Sequence, residues 1–451
     1  MSGSGDTGRA RGGVGGAGHE KYLVATRKIL EYVGRSLDAR VSVRLWDGTT
    51  VPLGRSVEPG FFVSIAGPEV LGSLLRRPGL ETALRHYAAG RIDFHGGDLI
   101  AFGELLRSRP AKRALRQLGK ARLIRMALPL LWATGESSAP EHRYRGDETG
   151  RRASRRDDRD FIQFHYDLGN EFYSLFLDPE MQYSCAYYRE WENPLEHAQL
   201  DKLEMICRKL RLQPGERLLD IGCGWGGLVC HAARHYGVEA LGVTLSPLQL
   251  DYAREKIRAL GLADRVRVEL CDYSELDGRF DKIASVGMYE HVGIANYRHY
   301  FRKLSSLLRD RGILLNHGIT RRAKASRRKF KRIRPGRRLI LKYVFPGSEL
   351  DHIGHTLESM ESCGYEIHDV EDWREHYALT TRHWCRRLSE RKEEAIGLVG
   401  PERYRMWVAY LAGVSFSFHD GSLRVYQVVA SKHAARGLAE LPPTRADLYL
   451  R

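Results

Sequence analysis

The residues most able to do chemistry in this chain cluster first around a carboxylate and a run of glycines. Leu218-Leu219-Asp220-Ile221-Gly222-Cys223-Gly224-Trp225-Gly226 reads as a strand that turns into a helix at about Leu228. Glycines there permit a tight turn and let a ligand lie against bare backbone. Gly222, Gly224 and Gly227 also satisfy the GxGxxG pattern of dinucleotide sites, so the loop alone is ambiguous. Two details favour S-adenosylmethionine. Asp220 stands just before the first glycine, where it can meet a cationic amino-acid moiety. A dinucleotide site also wants an acidic residue about 20 residues on, at the end of the second strand. Here that strand ends Gly242-Val243-Thr244-Leu245-Ser246-Pro247, with no carboxylate. Asp272, after the third strand, falls either near the adenine edge of such a cofactor or in a solvated turn.

The elements that must position this loop follow from patterning. Strand candidates Arg217 to Ile221, Ala240 to Thr244, Val266 to Leu270, Lys282 to Val286 and Gly312 to Leu315 alternate with helical segments. That alternation predicts an α/β fold, a doubly wound Rossmann-like parallel sheet with helices on both faces. The chain has 451 residues, more than one core usually serves, and its organisation reads as four parts. Residues 1–20 are Gly-rich and expected to be a disordered tail, without the apolar stretch of a secretory signal. Residues 21–134 form a small α+β module. Its helix runs from Tyr22 to Leu37, and strands Val41 to Leu45 and Gly60 to Ile65 flank a turn at Asp47-Gly48. Helices follow over Glu69 to Arg76 and Thr82 to Ala89, then a strand and turn over Gly90 to Gly97. Residues 135–160 are polar and read as a linker, and 161–451 as the catalytic domain.

Composition narrows the partners. The net charge of +16 favours an anionic one, nucleic acid or anionic lipid, without choosing between them. Seven cysteines, odd in number and without a CxxC pair, argue against disulfide frameworks and structural zinc and fit a reducing cytosol. No metal is expected, since His291, His376 and His383 lack a metal-site spacing. No apolar run reaches the roughly 20 residues that span a bilayer. Between Arg321 and Arg338, eleven of eighteen residues are basic and none acidic, a run expected to repel itself and stay out of any core.

Further segments resemble the cyclopropane-fatty-acyl-phospholipid synthases and the related mycolic-acid cyclopropane synthases. They are Phe164-His165-Tyr166-Asp167-Leu168-Gly169-Asn170-Glu171-Phe172-Tyr173, continuing into Leu177 to Tyr188 with Tyr183-Ser184-Cys185-Ala186-Tyr187; the glycine loop with Thr244 to Gln249; Glu290-His291-Val292-Gly293; Asn316-His317-Gly318-Ile319; and His376-Tyr377-Ala378-Leu379-Thr380-Thr381-Arg382-His383-Trp384. The resemblance is strong over residues 160–432 and looser before them.

The resemblance implies an S-adenosylmethionine-dependent methyltransferase that modifies lipid. Such enzymes methylate a cis double bond of an acyl chain in a phospholipid, and loss of a proton from the new methyl closes a cyclopropane. The base implied is a bound bicarbonate. By motif, Glu290, His317 and Tyr377 match side chains that hold it, and Cys185 and Ile319 match positions contributing largely through backbone. Tyr183 and Ser184 match a cofactor-lining segment, and Thr244 and Gln249 match ribose contacts; Asp220, Gly222, Gly224 and Asp272 complete the expected cofactor set. Physical requirements agree. A carbocation must be kept from water, and aromatic faces offer negative potential without a nucleophile. Residues 161–188 hold nine candidates, from Phe161 to Tyr188, each of which could equally be core.

The expected partners are an unsaturated phospholipid and an anionic bilayer surface, met from the cytoplasm at the inner face of the membrane. Nucleic acid is not expected. The basic run is read either as a solvated loop or as a headgroup clamp, each cation contributing about 1 kcal/mol near an acidic leaflet. The N-terminal module is assigned to lipid docking or to pairing two copies. The alternatives kept open are a methylene- or methyl-branched product from the same alkene, a nucleic-acid methyltransferase, and a catalytically silent lipid-binding protein.

Overall fold

A computed structural model describes residues 16–107, 113, 116–134, 142–149, 158–166, 168–331, 334–434 and 437–449. The chain divides into two compact units, Met1–Pro140 and Glu141–Arg451.

In the first unit, strands β1 (Ser42–Arg44), β2 (Thr50–Pro52), β3 (Phe62–Ile65) and β4 (Ile92–His95) form a sheet in the order β2-β1-β3-β4. The short β2, which follows the Asp47-Gly48 turn, was not expected from sequence; only Val51 of its three residues is buried. Val43, Leu45 and Val51 form one small core, and Leu37, Ala39, Val41 and Phe102 another. The first helix spans Gly16–Leu37, so it takes in residues 16–20 of the expected tail, while 1–15 lie outside the described residues.

The second unit is built on β5 (Arg217–Ile221), β6 (Glu239–Thr244), β7 (Val266–Leu270), β8 (Phe280–Val286), β9 (Leu308–Arg321), β10 (Tyr365–Asp372) and β11 (Leu423–Lys432), in the order β10-β11-β9-β8-β5-β6-β7. Neighbouring strands from β9 to β7 are parallel, as the alternation predicts. β11 runs antiparallel to both β9 and β10. Those last two strands were not expected, because they fall after the regular strand–helix alternation ends. β9 is also far longer than Gly312 to Leu315. Its apolar pattern breaks at Asn316-His317-Gly318, where polar side chains and a glycine replace apolar ones at positions that are nonetheless buried.

Helices cover both faces. Leu218 of β5 joins Leu203, Ile206, Val229 and Ala253 on one side; Leu219 and Ile221 join Tyr300, Phe301 and Leu304 on the other. The period-2 alternation of β5 thus places Asp220 on the Leu218 face at the strand's end.

Parts of the expected linker and of the basic run make contacts in this unit. Residues 142–149, read as linker, pack into it: the Tyr144 N–H donates to the Lys342 carbonyl at 2.9 Å and the His142 ring stacks on Phe164. The helix before the first motif already begins at Asp158. The basic run stays out of the core, since none of its described residues is buried, but it is not without structure. Helices Arg327–Lys331 and Pro335–Tyr343 lie in or overlap it, and Leu339, Leu341 and Tyr343, just beyond it, are buried. Arg321 sits over the Phe330 ring, and Arg337 donates to the Ser348 carbonyl at 2.8 Å.

Gly318 carries a constraint of its own. A Cβ there would come within 2.5 Å of the ring of Tyr289, a buried side chain whose hydroxyl pairs with Thr356. Gly318→Ala is expected to destabilise the protein by roughly 1–3 kcal/mol through overpacking, read as a lower urea midpoint with an unchanged slope.

Candidate active site

The chain leaves β5 through Gly222, whose φ of +79° suits glycine, and whose added Cβ would press on Met288 at 3.0 Å. The helix Gly227–Tyr236 follows. Around this turn lies a cavity of about 1070 Å³, mouth included. Asp220, Gly222 and Gly224 line it from β5, Thr244 and Gln249 from the β6 side, and Asp272 from the end of β7. Tyr183 and Ser184 reach it from the segment before the helix Leu195–Leu210. All eight residues assigned to the cofactor therefore line one space. The Thr244 hydroxyl donates to Gln249 Oε1 at 2.8 Å, and Asp272 accepts from the Ser274 N–H, so it also holds its turn.

Two buried charges control the floor of this cavity. Burial raises the Asp220 carboxyl to about 7, with the nearby Lys202 ammonium pulling it back. Its Oδ1 has no hydrogen-bond partner among the described residues. Burial lowers Lys202 to about 8, against the pull of Asp178, Cys185 and Asp220, and its ammonium donates to Ser184 Oγ at 3.0 Å and to Gln182. An unpaired carboxyl oxygen beside bare glycine backbone suits a ligand carrying an ammonium group, as the methionine moiety of S-adenosylmethionine does.

A second cluster lies outside the lining of that cavity. Glu290 sits in the short helix Tyr289–Val292 that follows β8. The Ile319 N–H donates to its Oε1, while Oε2 is buried without a partner among the described residues. Burial raises this carboxyl to about 7. His317 is two residues before Ile319 on β9, hence on the same face.

The protonation of His317 is set by a chain of polar groups. Lys209, buried in the helix Leu195–Leu210 and ion-paired to Glu371, donates to Gln427 Oε1 at 2.7 Å. That fixes the Gln427 amide, whose Nε2 donates to His317 Nδ1 at 3.1 Å. Burial, then the charges of Lys202 and Lys209, lower the imidazole to about 3, so it is neutral. A neutral ring that accepts at Nδ1 carries its proton on Nε2. That N–H is buried and has no acceptor among the described residues.

Tyr377, in the helix Arg374–Glu390, stacks on Phe418 at 4.5 Å. Burial pushes its hydroxyl well up, and Tyr410, Cys185, Glu290 and Tyr166 add to the shift. Cys185 donates to the carbonyls of Ala186 and Trp373; burial holds its thiol up, so it is no thiolate nucleophile. The Trp373 ring meets His317 edge-on at 5.5 Å. The structure thus joins Glu290 to Ile319 by a hydrogen bond, links His317 to Cys185 through Trp373, and sets Tyr377 within electrostatic reach of Glu290 and Cys185. The Ile319 N–H is engaged by Glu290 and orients that carboxylate.

Aromatic rings line the cofactor cavity, and one of them, Tyr166, is within electrostatic reach of Glu290. Tyr166 and Tyr183 line the cavity, and Tyr183 meets Trp384 at 5.1 Å and Tyr173 at 5.4 Å. Phe172, Tyr173 and Phe176, also among the aromatic candidates, are wholly buried in the core. Tyr187 and Tyr188 stack on His376 instead.

The family model for mycolic acid cyclopropane synthetase matches residues 153–428. The chain belongs to this family. Over 92% of its length, covering 98% of the relative, it is 39% identical to a "Probable fatty acid methyltransferase" of Pseudomonas putida. It is also 39% identical to the cyclopropane-fatty-acyl-phospholipid synthase of Escherichia coli, over 61% of this chain and 68% of that one. Among solved structures, the mycolic acid cyclopropane synthase CmaA1 complexed with SAH and CTAB superposes with a TM-score of 0.57 at 33% identity, covering 61% of this chain and 98% of its own. This member of the cyclopropane synthase family is an S-adenosylmethionine-dependent methyltransferase with a Rossmann-like fold.

Lys202, Lys209 and Gln427 were not singled out from the sequence of this methyltransferase. A signal existed for the lysines: with Ala198, Met205 and Ile206 they fall at helical spacing on the buried face of Leu195–Leu210, where a cation needs a partner. Gln427 lies on a strand that was not expected at all.

Two outcomes test this electrostatics. In Gln427→Leu the His317 ring loses its fixed tautomer: ¹⁵N NMR should show a mixed or inverted pattern at the two ring nitrogens, with turnover down about 10- to 100-fold. Glu290 has an ordinary value of 4.5 and a folded one of about 7. Between those values the folded carboxyl keeps a proton that the unfolded one has lost. Its contribution to stability is therefore intact below pH 4.5 and declines as pH rises to about 7. Ligand-free Glu290→Gln should melt higher than wild type at pH 8, by the equivalent of roughly 1–3 kcal/mol, and equal it near pH 4.

Proposed function

We propose that the protein transfers a methylene group from S-adenosylmethionine to the cis double bond of an unsaturated acyl chain in a phospholipid, forming a cyclopropane. The observation that carries this reading is the pair of buried atoms Glu290 Oε2 and His317 Nε2, one acceptor and one donor, both without a partner among the described residues. Tyr377 is within electrostatic reach of Glu290.

S-adenosylmethionine, when bound, supplies an electrophilic methyl. Asp220 meets the ammonium of its methionine part, and Thr244, Gln249 and Asp272 take its nucleoside side. Tyr166 and Tyr183 turn ring faces toward the reacting alkene, stabilise positive charge on the acyl chain and keep water away. The donor set would suit bicarbonate: Glu290 would accept its hydroxyl, and His317 Nε2–H and the Tyr377 hydroxyl would donate to it, and the chemistry it would supply there is a base for the methyl proton. Glu290 accepts best as a carboxylate, because a proton on Oε2 would put a donor where the acceptor is needed, so turnover should rise as pH passes upward through about 7.

The substrate is read as a lipid presented by an anionic bilayer, met from the cytoplasmic side. Arg322, Lys324, Arg328, Lys329, Arg334 and Arg338 of the basic run are exposed and available to headgroups. No helix among the described residues is long and apolar enough to cross a membrane. A second reading has its own support, because the Pseudomonas putida relative that spans 92% of this chain is named a fatty acid methyltransferase. There the same cation either loses a chain proton and leaves a methyl-branched alkene, or first shifts a hydride from the methylated carbon and then loses a methyl proton, leaving a methylene branch.

Incubation with S-adenosylmethionine and liposomes of a cis-monounsaturated anionic phospholipid separates the two. A gain of one CH2 with upfield cyclopropane protons is expected. The same gain with olefinic methylene protons would establish the branched product. No gain by a protein that binds the cofactor would sink both. Glu290→Gln should retain cofactor binding and lose about 100-fold or more in turnover.

A further inference from the structure

In the first unit, the helix Lys120–Ala127 runs into a 3-10 turn, Leu128–Trp132. Ala127, Leu130 and Ala133 are buried in this stretch. Ile124, Leu128 and Trp132, spaced four residues apart, are 63%, 50% and 70% exposed. This outward row is not a frayed end. Arg76 donates to the carbonyls of Leu131 and Ala133 at 2.7 and 2.9 Å. The helix Pro68–Arg76 comes so close at Gly72 that a Cβ there would meet the Ala133 carbonyl at 2.4 Å. At the other end, the Gly119 N–H donates to the Tyr32 hydroxyl, and Arg122 lies over the Tyr32 ring. The unit holds three large apolar side chains in water by construction, which calls for a partner.

Charge identifies it. From Leu105 to Gly135 the sequence has eight basic residues and no acidic one, and Lys120, Arg122 and Arg125 are exposed beside the row. An apolar stripe flanked by Lys and Arg and ending in Trp has the chemistry of an element lying in a membrane interface. A second copy of the chain fits poorly: a two-fold pairing sets this basic stripe against itself, and three side chains fall short of the roughly 800 Å² per partner of a stable interface.

We propose that Lys120–Trp132 docks the protein on anionic lipid surfaces, with Ile124, Leu128 and Trp132 entering the boundary between headgroups and acyl chains and Lys120, Arg122 and Arg125 among the headgroup phosphates. This rests on reading the substrate as a bilayer lipid and names the element that brings the enzyme to it.

The test uses the full chain without cofactor, so that its outcome is independent of whether a cyclopropane is made. Co-sedimentation with vesicles of phosphatidylglycerol and phosphatidylcholine should show binding that weakens with salt and is much poorer on phosphatidylcholine alone. The triple variant Ile124→Ser, Leu128→Ser, Trp132→Ser should lose about tenfold or more in partitioning. It should keep the wild-type melting temperature, cofactor affinity and turnover on detergent-dispersed substrate. Brominated lipid should quench a part of the fluorescence that Trp132→Phe removes, a readout that does not depend on the triple variant folding. Wild-type vesicle binding by the triple variant would overturn the proposal. So would quenching unaltered by Trp132→Phe, or a wild-type dimer that the triple variant turns into a monomer with vesicle binding intact.

Discussion

A carboxylate oxygen and an imidazole N–H, both buried and both without a partner among the described residues, are the constraint around which the second unit is organised. Leaving either group unpaired in a dry interior costs about 1–3 kcal/mol. The surrounding structure holds each by its other end: Ile319 grips Oε1 of Glu290, and Gln427 grips Nδ1 of His317. The rigidity comes from β9, which supplies both His317 and Ile319 and is paired along its length with β8 and β11. Gly318 between them lets Tyr289 pack against the strand, so the short helix bearing Glu290 is pinned to the same backbone. The geometry is thus set by sheet hydrogen bonds and close packing.

The cofactor cavity is governed by a related tension. Asp220 and Lys202 are both fully buried, and each is drawn toward its neutral form by desolvation and back by the other. A cationic ligand group arriving at Asp220 tips this balance toward the carboxylate. Lys202 and Lys209 stand seven residues apart on one buried helix face and both lower the basicity of His317. One helix therefore tunes both parts of the site.

Much of this was legible before the structure. Four of the five parallel strands could be placed to within a residue or two, because buried parallel strands are short apolar runs between helices. That Asp220, Gly222, Gly224 and Asp272 line one cavity was legible because glycine turns and strand ends are local features, whereas Tyr183, Ser184, Thr244 and Gln249 came through the family resemblance. The proposed catalytic residues were legible only as motifs, whose positions in the chain run from Cys185 to Tyr377; nothing local shows that His317 is held neutral while the Glu290 carboxyl is raised. The far ends of the relay were hidden for two reasons. Lysines in a helix usually face solvent, and β11, with Gln427 at its middle, lies beyond the alternating pattern. That the basic run stays out of the core was legible from its charge; its helices were not, because net charge says nothing of Leu339, Leu341 and Tyr343, which are buried just beyond it.

The reversed strand has a consequence for the order in which function is acquired. Every residue lining the cofactor cavity lies between Ile162 and Val292. The tautomer of His317 depends on Gln427, in the last strand of the sheet, inserted between β9 and β10. The residues lining the cofactor cavity are therefore all synthesised more than a hundred residues before the one that fixes the His317 tautomer. A chain clipped before the last strand would lose that residue together with Val428, Val429 and Ala430 of the cores on both faces of the sheet, so tautomer and packing are completed by the same strand.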